Sequence, residues 1–365
     1  PLRYYLRYGV DLKEREEFTF SPVNFGVVLH AVIREVCDEI KKNGESYYLI
    51  SEEKRREMVK RSVAAITDIY QNSILKDSSR NSFMIKRMED LADRTVWAMG
   101  EQLKCGDFVP FVFEHKFNME VGDGDRKQLM SGTIDRVDIC ENGTDVYVRI
   151  IDYKTGKKDF NIVKTYYGID IQLMVYMEAA MKLVAKMRPG KNVIPAGVFY
   201  YNISDPIVSA TTESAEEIED KIKGELRLKG MVNSDKDIAE KMDNTEGTSL
   251  NIPVSRKADG GFDSRRSKVM NTEQFNILGR FVDVRAIDTA DRIAGGDIRR
   301  SPYKDGQFSS CDRCPYGAVC GFSVDLPGCN YRKLKKFDDE VLWNNIKEGV
   351  DENGKKMDTG AEERD

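Results

Sequence analysis

The stretch Gly132-Thr133-Ile134-Asp135-Arg136-Val137-Asp138, followed by Asn142-Gly143 and then by Val146 through Lys154-Thr155-Gly156, decides the fold. Its lettering is GTIDRVD, NG and VYVRIIDYKTG. Two strand-like runs flank Asn-Gly, the strongest short-range hairpin signal. A turn centred on those two residues sets Glu141 opposite Thr144, Asp135 opposite Ile150 and Ile134 opposite Ile151. Side chains alternate along a strand, so Asp152 and Lys154 share the face of Asp135. This register makes Asp135 and Asp152 diagonal neighbours, roughly 7–8 Å apart. Two carboxylates at that spacing can share a divalent cation, with an ammonium beside them. A buried carboxylate is costly unless it is paired or on a metal. A solvated hairpin with charges on its outer face fits the same spacing, and the hairpin alone leaves both readings open.

Downstream, residues 169–186 (IDIQLMVYMEAAMKLVAK) predict a helix with Gln172 and Tyr176 one turn apart on a common face. Ala196 to Asn202 is an apolar strand. Upstream, residues 108–120 (FVPFVFEHKFNME) switch to strand character, with Glu114 and His115 in the middle. Before them come three helices, at 24–42, 51–76 and 79–104, and a short aromatic one near the start that ends at Gly9. Asn24 is the expected N-cap of the first long helix and Asn43-Gly44 its stop. His30 shares that helix's apolar face with Ile33, Cys37 and Ile40. A lone histidine on such a face is more often a core residue than a ligand. Helices, then strand, hairpin, helix and strand indicate an α/β core with a helical N-terminal region.

The chain has 365 residues, 33% of them charged, and a net charge of −5. That balance argues against a nonspecific polyanion binder, yet a locally basic cleft would suffice for a nuclease. No apolar run reaches the ~18 residues of a membrane span, and no signal peptide is visible. Residues 213–228 read as a charged helix, 231–270 as long polar loops with a hairpin near Gly260-Gly261, and 272–294 as a helix. Of the seven cysteines, Cys37, Cys105 and Cys140 are scattered in apolar contexts and read as core residues. Cys311, Cys314 and Cys320 form C-x2-C-x5-C, a spacing that suits zinc or an iron–sulfur cluster, with Cys329 a fourth ligand on spacing grounds. Beyond about residue 335 the chain reads as a charged tail, and its last stretch, NGKKMDTGAEERD, as disordered. Thr155-Gly156-Lys157-Lys158 resembles the end of a P-loop, but Ile151 and Lys158 occupy the positions that need glycine and Ser/Thr, so no ATP site is visible.

Phosphodiester hydrolysis needs an activated water, stabilisation of charge on the phosphorane oxygens and help for the leaving oxygen. Carboxylate-held Mg²⁺ serves all three, and a neighbouring lysine can orient the water. GTIDRVD, IDYKTG and QLMVYMEAA, with the histidine of VVLHAVI, resemble the PD-(D/E)xK nuclease core of the RecB-type family. Within it, the start PLRYYLRYGVDLKERE, AGVFYYNISDP, LKGMVNSD and the cysteine group resemble AddB-type nuclease domains of bacterial helicase–nucleases. The resemblance implies a restriction-endonuclease-like α/β fold with a mixed central sheet. It implies His30, Asp135, Asp152 and the carbonyl of Tyr153 as metal ligands and Lys154 as the catalytic lysine. Gln172 and Tyr176 would lie near the DNA, and Glu114 would take the place of the early acid of the wider fold. It also implies a 4Fe–4S cluster on Cys311, Cys314, Cys320 and a cysteine just ahead of Pro1. The sequence begins at Pro1, so the expectation is a cluster absent or incomplete in this chain, which reads as a fragment.

The function so implied is an Mg²⁺-dependent exonuclease domain in a cytoplasmic helicase–nuclease that processes double-strand breaks, with single-stranded DNA as substrate and an AddA-like subunit as partner. The expected organisation is a helical lead-in over 1–105, the nuclease core over 106–210, a helix and polar-loop extension over 211–300, the cysteine segment over 301–330 and the tail over 331–365. A non-catalytic DNA-binding module of the same fold, a redox sensor built on the cysteines and a phage-type exonuclease are the alternatives.

Overall fold

A computed structural model of the chain describes residues 2–12, 22–70, 79–122, 127–209 and 214–359. One helical turn, α1 (Leu2–Tyr4), widens into a π-helical turn over Tyr5–Gly9. Three long amphipathic helices follow: α2 (Pro22–Lys42), α3 (Glu52–Tyr70) and α4 (Ser79–Lys104). Helix α2 begins at Pro22, so Asn24 lies inside its first turn rather than capping it. Proline's fixed φ suits that opening position. The expected end of the second helix, beyond Tyr70, lies outside the described residues.

Strands β1 (Val109–Val121), β2 (Gln128–Asn142) and β3 (Asp145–Lys154) form an antiparallel meander. Helices α5 (Ile162–Tyr166) and α6 (Gln172–Met187) then carry the chain back to β4 (Asn192–Asn202), which runs parallel to β3. After α7 (Ala215–Glu225) come β5 (Lys229–Asn233), α8 (Lys236–Met242), β6 (Val269–Met270) and α9 (Thr272–Ala294). The result is one mixed sheet in the order β1-β2-β3-β4-β5-β6. A small second sheet, β8-β7-β9, is made by β7 (Tyr303–Asp305), β8 (Phe308–Ser309) and β9 (Arg332–Lys333), around the single-turn α10 (Gly317–Cys320). Helix α11 (Asp339–Thr359) closes the described chain.

The sheet has a core on each face, because β3 and β4 are buried on both sides. Tyr147, Ile151 and Tyr153 face Val28, Val32 and Val36 of α2 and the buried stripes of α3 and α4. Val146, Val148 and Ile150 face α6, α9 and α11. Parity therefore sends Asp152 and Lys154 toward α6 and places Arg149 on the α2 side. There, Arg136 donates to both oxygens of Asp138 (2.7 and 2.6 Å) and Arg149 adds a contact of 2.9 Å, all at 1% exposure or less. A one-residue slip would drive these three charges into the other core, so the cluster fixes the register of β2 on β3.

Three further expectations change. The hairpin turn is Gly143-Thr144, not Asn142-Gly143: Asn142 pairs with Asp145 across it and Gly143 holds φ at 59°. A two-residue turn with glycine at its first central position favours that form. Asn142 is held within the strand, its amide donating to Tyr147 Oη and Asp237. The polar region 231–270 holds β5, α8 and β6 at its ends, while residues 243–268 form the expected long loop with its Gly260-Gly261 hairpin, bridged by Arg256 and Phe262. The expected tail from 331 contains α11, whose Leu342 and Ile346 are buried against α9. Part of the stretch expected to be disordered thus lies in that helix, and residues 360–365 lie outside the described residues.

Candidate active site

The corrected register tightens the hairpin's chemistry. Regular pairing of β2 with β3 ends at Arg136 opposite Ile151, and Asp135 and Asp152 are the next residues of the two strands. The main-chain N–H of Tyr153 donates to Asp135 Oδ2 at 2.7 Å, holding that carboxylate at the junction of β2 and β3. On the outer strand, Phe113 pairs with Arg136 and His115 with Ile134, which leaves Glu114 beside Asp135. Glu114 takes φ 46°, a left-handed conformation unusual for a residue with a side chain. Helix α2 supplies the third group. It is tied to β1 by Lys41 Nζ donating to the carbonyl of Phe111 at 2.6 Å. His30 Nδ1 stands 3.5 Å from Asp135 Oδ1 and 3.6 Å from Glu114 Oε1.

Among the described residues, His30, Glu114 and Asp135 are the one group of three or more His, Cys, Asp or Glu whose ligand atoms all lie within 4.8 Å of one another. Two carboxylates and an imidazole at that spacing suit Mg²⁺ or Mn²⁺. Burial works against a charged imidazole, yet hydrogen bonds to Asp135 and then Glu114 overcome it and push the His30 pKa up to about 10. A proton there answers the same crowding of negative charge that a bound cation would answer.

A second cluster adjoins the first. Asp152 Oδ2 lies 2.5 Å from Lys154 Nζ, and Asp152 Oδ1 accepts from Gln172 Nε2 at 2.9 Å. Gln172 closes the loop by accepting from Lys154 Nζ at 3.2 Å, and its amide also donates to Tyr176 Oη at 2.9 Å. Burial, then the negative charge of Asp135, push the Asp152 pKa up to about 6, against the pull of Lys154. Gly132 leaves room for an aromatic pair. A Cβ there would come 2.9 Å from the Phe117 ring, which packs edge-on against Tyr176 at 5.8 Å between centroids.

All the residues singled out around the hairpin meet at one place, with two changes of company. Glu114, the residue with the least defined expected role, converges with His30 and Asp135, whereas Asp152 is engaged by Lys154 and Gln172. Gln172, expected beside DNA, holds the acid and the lysine together. For Tyr153 the amide N–H is the atom engaged with Asp135. Sequence reading passed over Tyr200, which stands next to Lys154, and Asp170, and it considered Lys158 only as part of a failed P-loop; Asp170 and Lys158 adjoin Tyr200 and each other. The available signal was an aspartate two residues before Gln172.

The cysteines stand apart. Cys311, Cys314, Cys320 and Cys329 are free and partly buried. No trio among them converges within the 4.8 Å that a single ion would require. Their segment meets the start of the chain through Tyr316 Oη, which donates to the carbonyl of Leu12 at 3.2 Å.

No helix among the described residues is long and apolar enough to cross a membrane. The chain is similar to proteins named as the B subunit of an ATP-dependent helicase/deoxyribonuclease. The one from Thermoanaerobacter sp. (strain X514) is 33% identical over 98% of this chain and 32% of its own length. That of Caldanaerobacter subterraneus is 34% identical over 100% of this chain and 32% of its own. That of Clostridium acetobutylicum is 34% identical over 97% and 31%. The chain thus spans about a third of the length of these curated relatives. Residues 1–321 match the PD-(D/E)XK nuclease superfamily, the matched region takes in both the acid–histidine trio and the acid–lysine–glutamine cluster, and the chain belongs to that superfamily.

Proposed function

We propose that the chain is a metal-dependent deoxyribonuclease domain that hydrolyses single strands as a helicase–nuclease unwinds broken DNA. The observation that carries this reading is the meeting of His30, Glu114 and Asp135 beside the Asp152–Lys154–Gln172 cluster. His30, Glu114 and Asp135, joined by Asp152 and the Tyr153 carbonyl, would hold Mg²⁺. Bound there, it would offset charge on the phosphodiester oxygens and ease ionisation of the attacking water. The protein's own groups do the positioning. Lys154 presents an ammonium that can orient the water for in-line attack and stabilise the growing phosphorane charge. Gln172 fixes both Lys154 and Asp152, so neither must reorganise during the reaction.

The names of the relatives, each one subunit of an ATP-dependent helicase/deoxyribonuclease, support a partner subunit and DNA as substrate; the resemblance to AddB-type domains adds that the partner is AddA-like and that the setting is break processing. Three cysteines alongside the N-terminal segment suit an iron–sulfur cluster when a fourth ligand is supplied. Iron and labile-sulfide analysis tests this, and finding zinc would refute it.

The decisive assay compares cleavage of a single-stranded oligonucleotide with and without Mg²⁺ in wild type and Lys154→Ala. Wild type should cut only with the metal, and Lys154→Ala should lose ~100-fold or more in rate. Equal rates would sink the assignment and leave a non-catalytic DNA-binding module.

A further inference from the structure

A second set of charges stands beside the acid–lysine–glutamine cluster. Tyr200 on β4 pairs in register with Asp152 on β3 and is fully buried. Its hydroxyl donates to Asp170 Oδ1 at 2.7 Å, and Asp170 is itself buried. The other Asp170 oxygen lies 3.2 Å from Lys158 Nζ. Lys158 Nζ is 5.2 Å from the centre of the Tyr200 ring, and Lys154 Nζ is 5.5 Å from the same point. Two ammonium groups therefore share one aromatic ring, a favourable cation–π placement.

The backbone of Lys158 is fixed as well. Its N–H donates to Asn202 Oδ1 at 2.9 Å, and its carbonyl accepts from Asn202 Nδ2 at 3.0 Å. Asn202 pairs with Lys154 at the ends of β3 and β4, so the clamp is built on the strand termini that present the site. An ordinary surface lysine samples many rotamers and forfeits that freedom when it binds. Here the position is set before any ligand arrives. The side chain nonetheless stays 40% exposed, open to solvent on the side away from Asp170. A lysine serving only to neutralise Asp170 has no need of a clamped backbone, an open face or a ring shared with Lys154.

We propose that Lys158 binds a phosphate of the DNA strand adjacent to the one being cleaved, with Asp170, Tyr200 and Asn202 as its positioning residues. This gives the last residue of Thr155-Gly156-Lys157-Lys158 a phosphate-binding role that needs no ATP site. The proposal rests on the nuclease reading of the neighbouring site and extends it to the grip on the substrate.

The test uses the 365-residue chain. Binding of a labelled single-stranded oligonucleotide is followed by anisotropy with Ca²⁺ in place of Mg²⁺, and cleavage is followed separately with Mg²⁺. Lys158→Ala should weaken binding ~5–10-fold and raise KM with kcat little changed. It should also lower the slope of log affinity against log salt by about 0.7, the share of one phosphate contact on a single strand. Lys158→Arg should retain most of the affinity.

Lys158→Ala leaves Asp170 buried without its cation and can destabilise the fold. The Lys158→Ala/Asp170→Asn double variant therefore decides the matter. Its melting temperature should recover while its affinity and salt slope stay reduced. Wild-type affinity and slope in the double variant would overturn the proposal and reduce Lys158 to a counterion. Lys158-dependent binding by a wild type that cannot cut would defeat the nuclease reading while upholding the contact. A wild type that does not bind the oligonucleotide would overturn both.

Discussion

Glu114 sits at φ 46° in the middle of a long strand, where a glycine would be comfortable. The left-handed region costs a side-chain-bearing residue ~1 kcal/mol or more. In that conformation the carboxylate stands 3.6 Å from His30 and completes the trio with Asp135. Two variants separate geometry from chemistry. Glu114→Ala keeps the strain and Glu114→Gly removes it, so the glycine variant should be the more stable by about 1 kcal/mol in thermal or urea unfolding. Both should need more Mg²⁺ for half-maximal cleavage, because both lack the carboxylate. An unchanged Mg²⁺ requirement would remove Glu114 from the ligand set. Residue identity was the most legible layer of the site: Asp135, Asp152, Lys154 and His30 stand out by type and spacing. Their partnerships were not legible, since a helical face shows that Gln172 and Tyr176 are neighbours but not that Asp152 lies across from them.

At the scale of elements, the site depends on how α6 seats against the sheet and against α9. Asp283 of α9 and Glu178 of α6 share a hydrogen bond at that contact, with Lys182 nearby. Burial first, then that hydrogen bond and the charge of Glu178, push the Asp283 pKa up to about 8. The unfolded value is near the ordinary ~3.9. Between those values the folded protein binds more protons than the unfolded one, so this group lowers stability as pH rises from about 4 to about 8 and changes nothing further above that. Asp283→Asn keeps a hydrogen-bonding side chain without the titration. Its gain in melting temperature over wild type should be larger at pH 8 than at pH 5, and an equal offset at both would refute the assignment. The elements that were legible were long and strongly periodic, such as α2, α4 and α9, or carried turn chemistry, as in the β2–β3 hairpin. The hairpin's existence followed from Asn-Gly, but its register turned on which two residues form the loop, and the long-range hold of Asp237 on Asn142 is invisible in a local window. Strand β5 and helix α8 escaped notice because they are short and set among polar residues, and their burial comes from distant partners such as Pro195, whose carbonyl accepts from Asn233.

At the scale of the whole molecule, the sheet is a plate between two cores, and the site lies where helices from both faces reach it: His30 from α2 on one side and Gln172 from α6 on the other. Stability of the α6 side is therefore also precision of the Asp152–Lys154 cluster. Helix α11 is part of that side. Its composition is so charged that it reads as a tail, yet Leu342 is 3% exposed and Ile346 is 0% exposed within the core that holds Leu173, Phe281 and Val282. The contrast in expected energy is large enough to measure. Truncating a solvated tail residue changes stability by no more than ~0.5 kcal/mol, whereas emptying a buried isoleucine site costs about 2–5 kcal/mol. Ile346→Ala should therefore lower the melting temperature clearly. Lys347→Ala, one position along on the exposed face, should leave it nearly unchanged. Cleavage by Ile346→Ala should persist well below its melting point, because α11 holds α9 and supplies no group to the site. An Ile346→Ala protein that melts with wild type would return α11 to the status of a tail, and one that is stable but inactive would place α11 in the catalytic machinery.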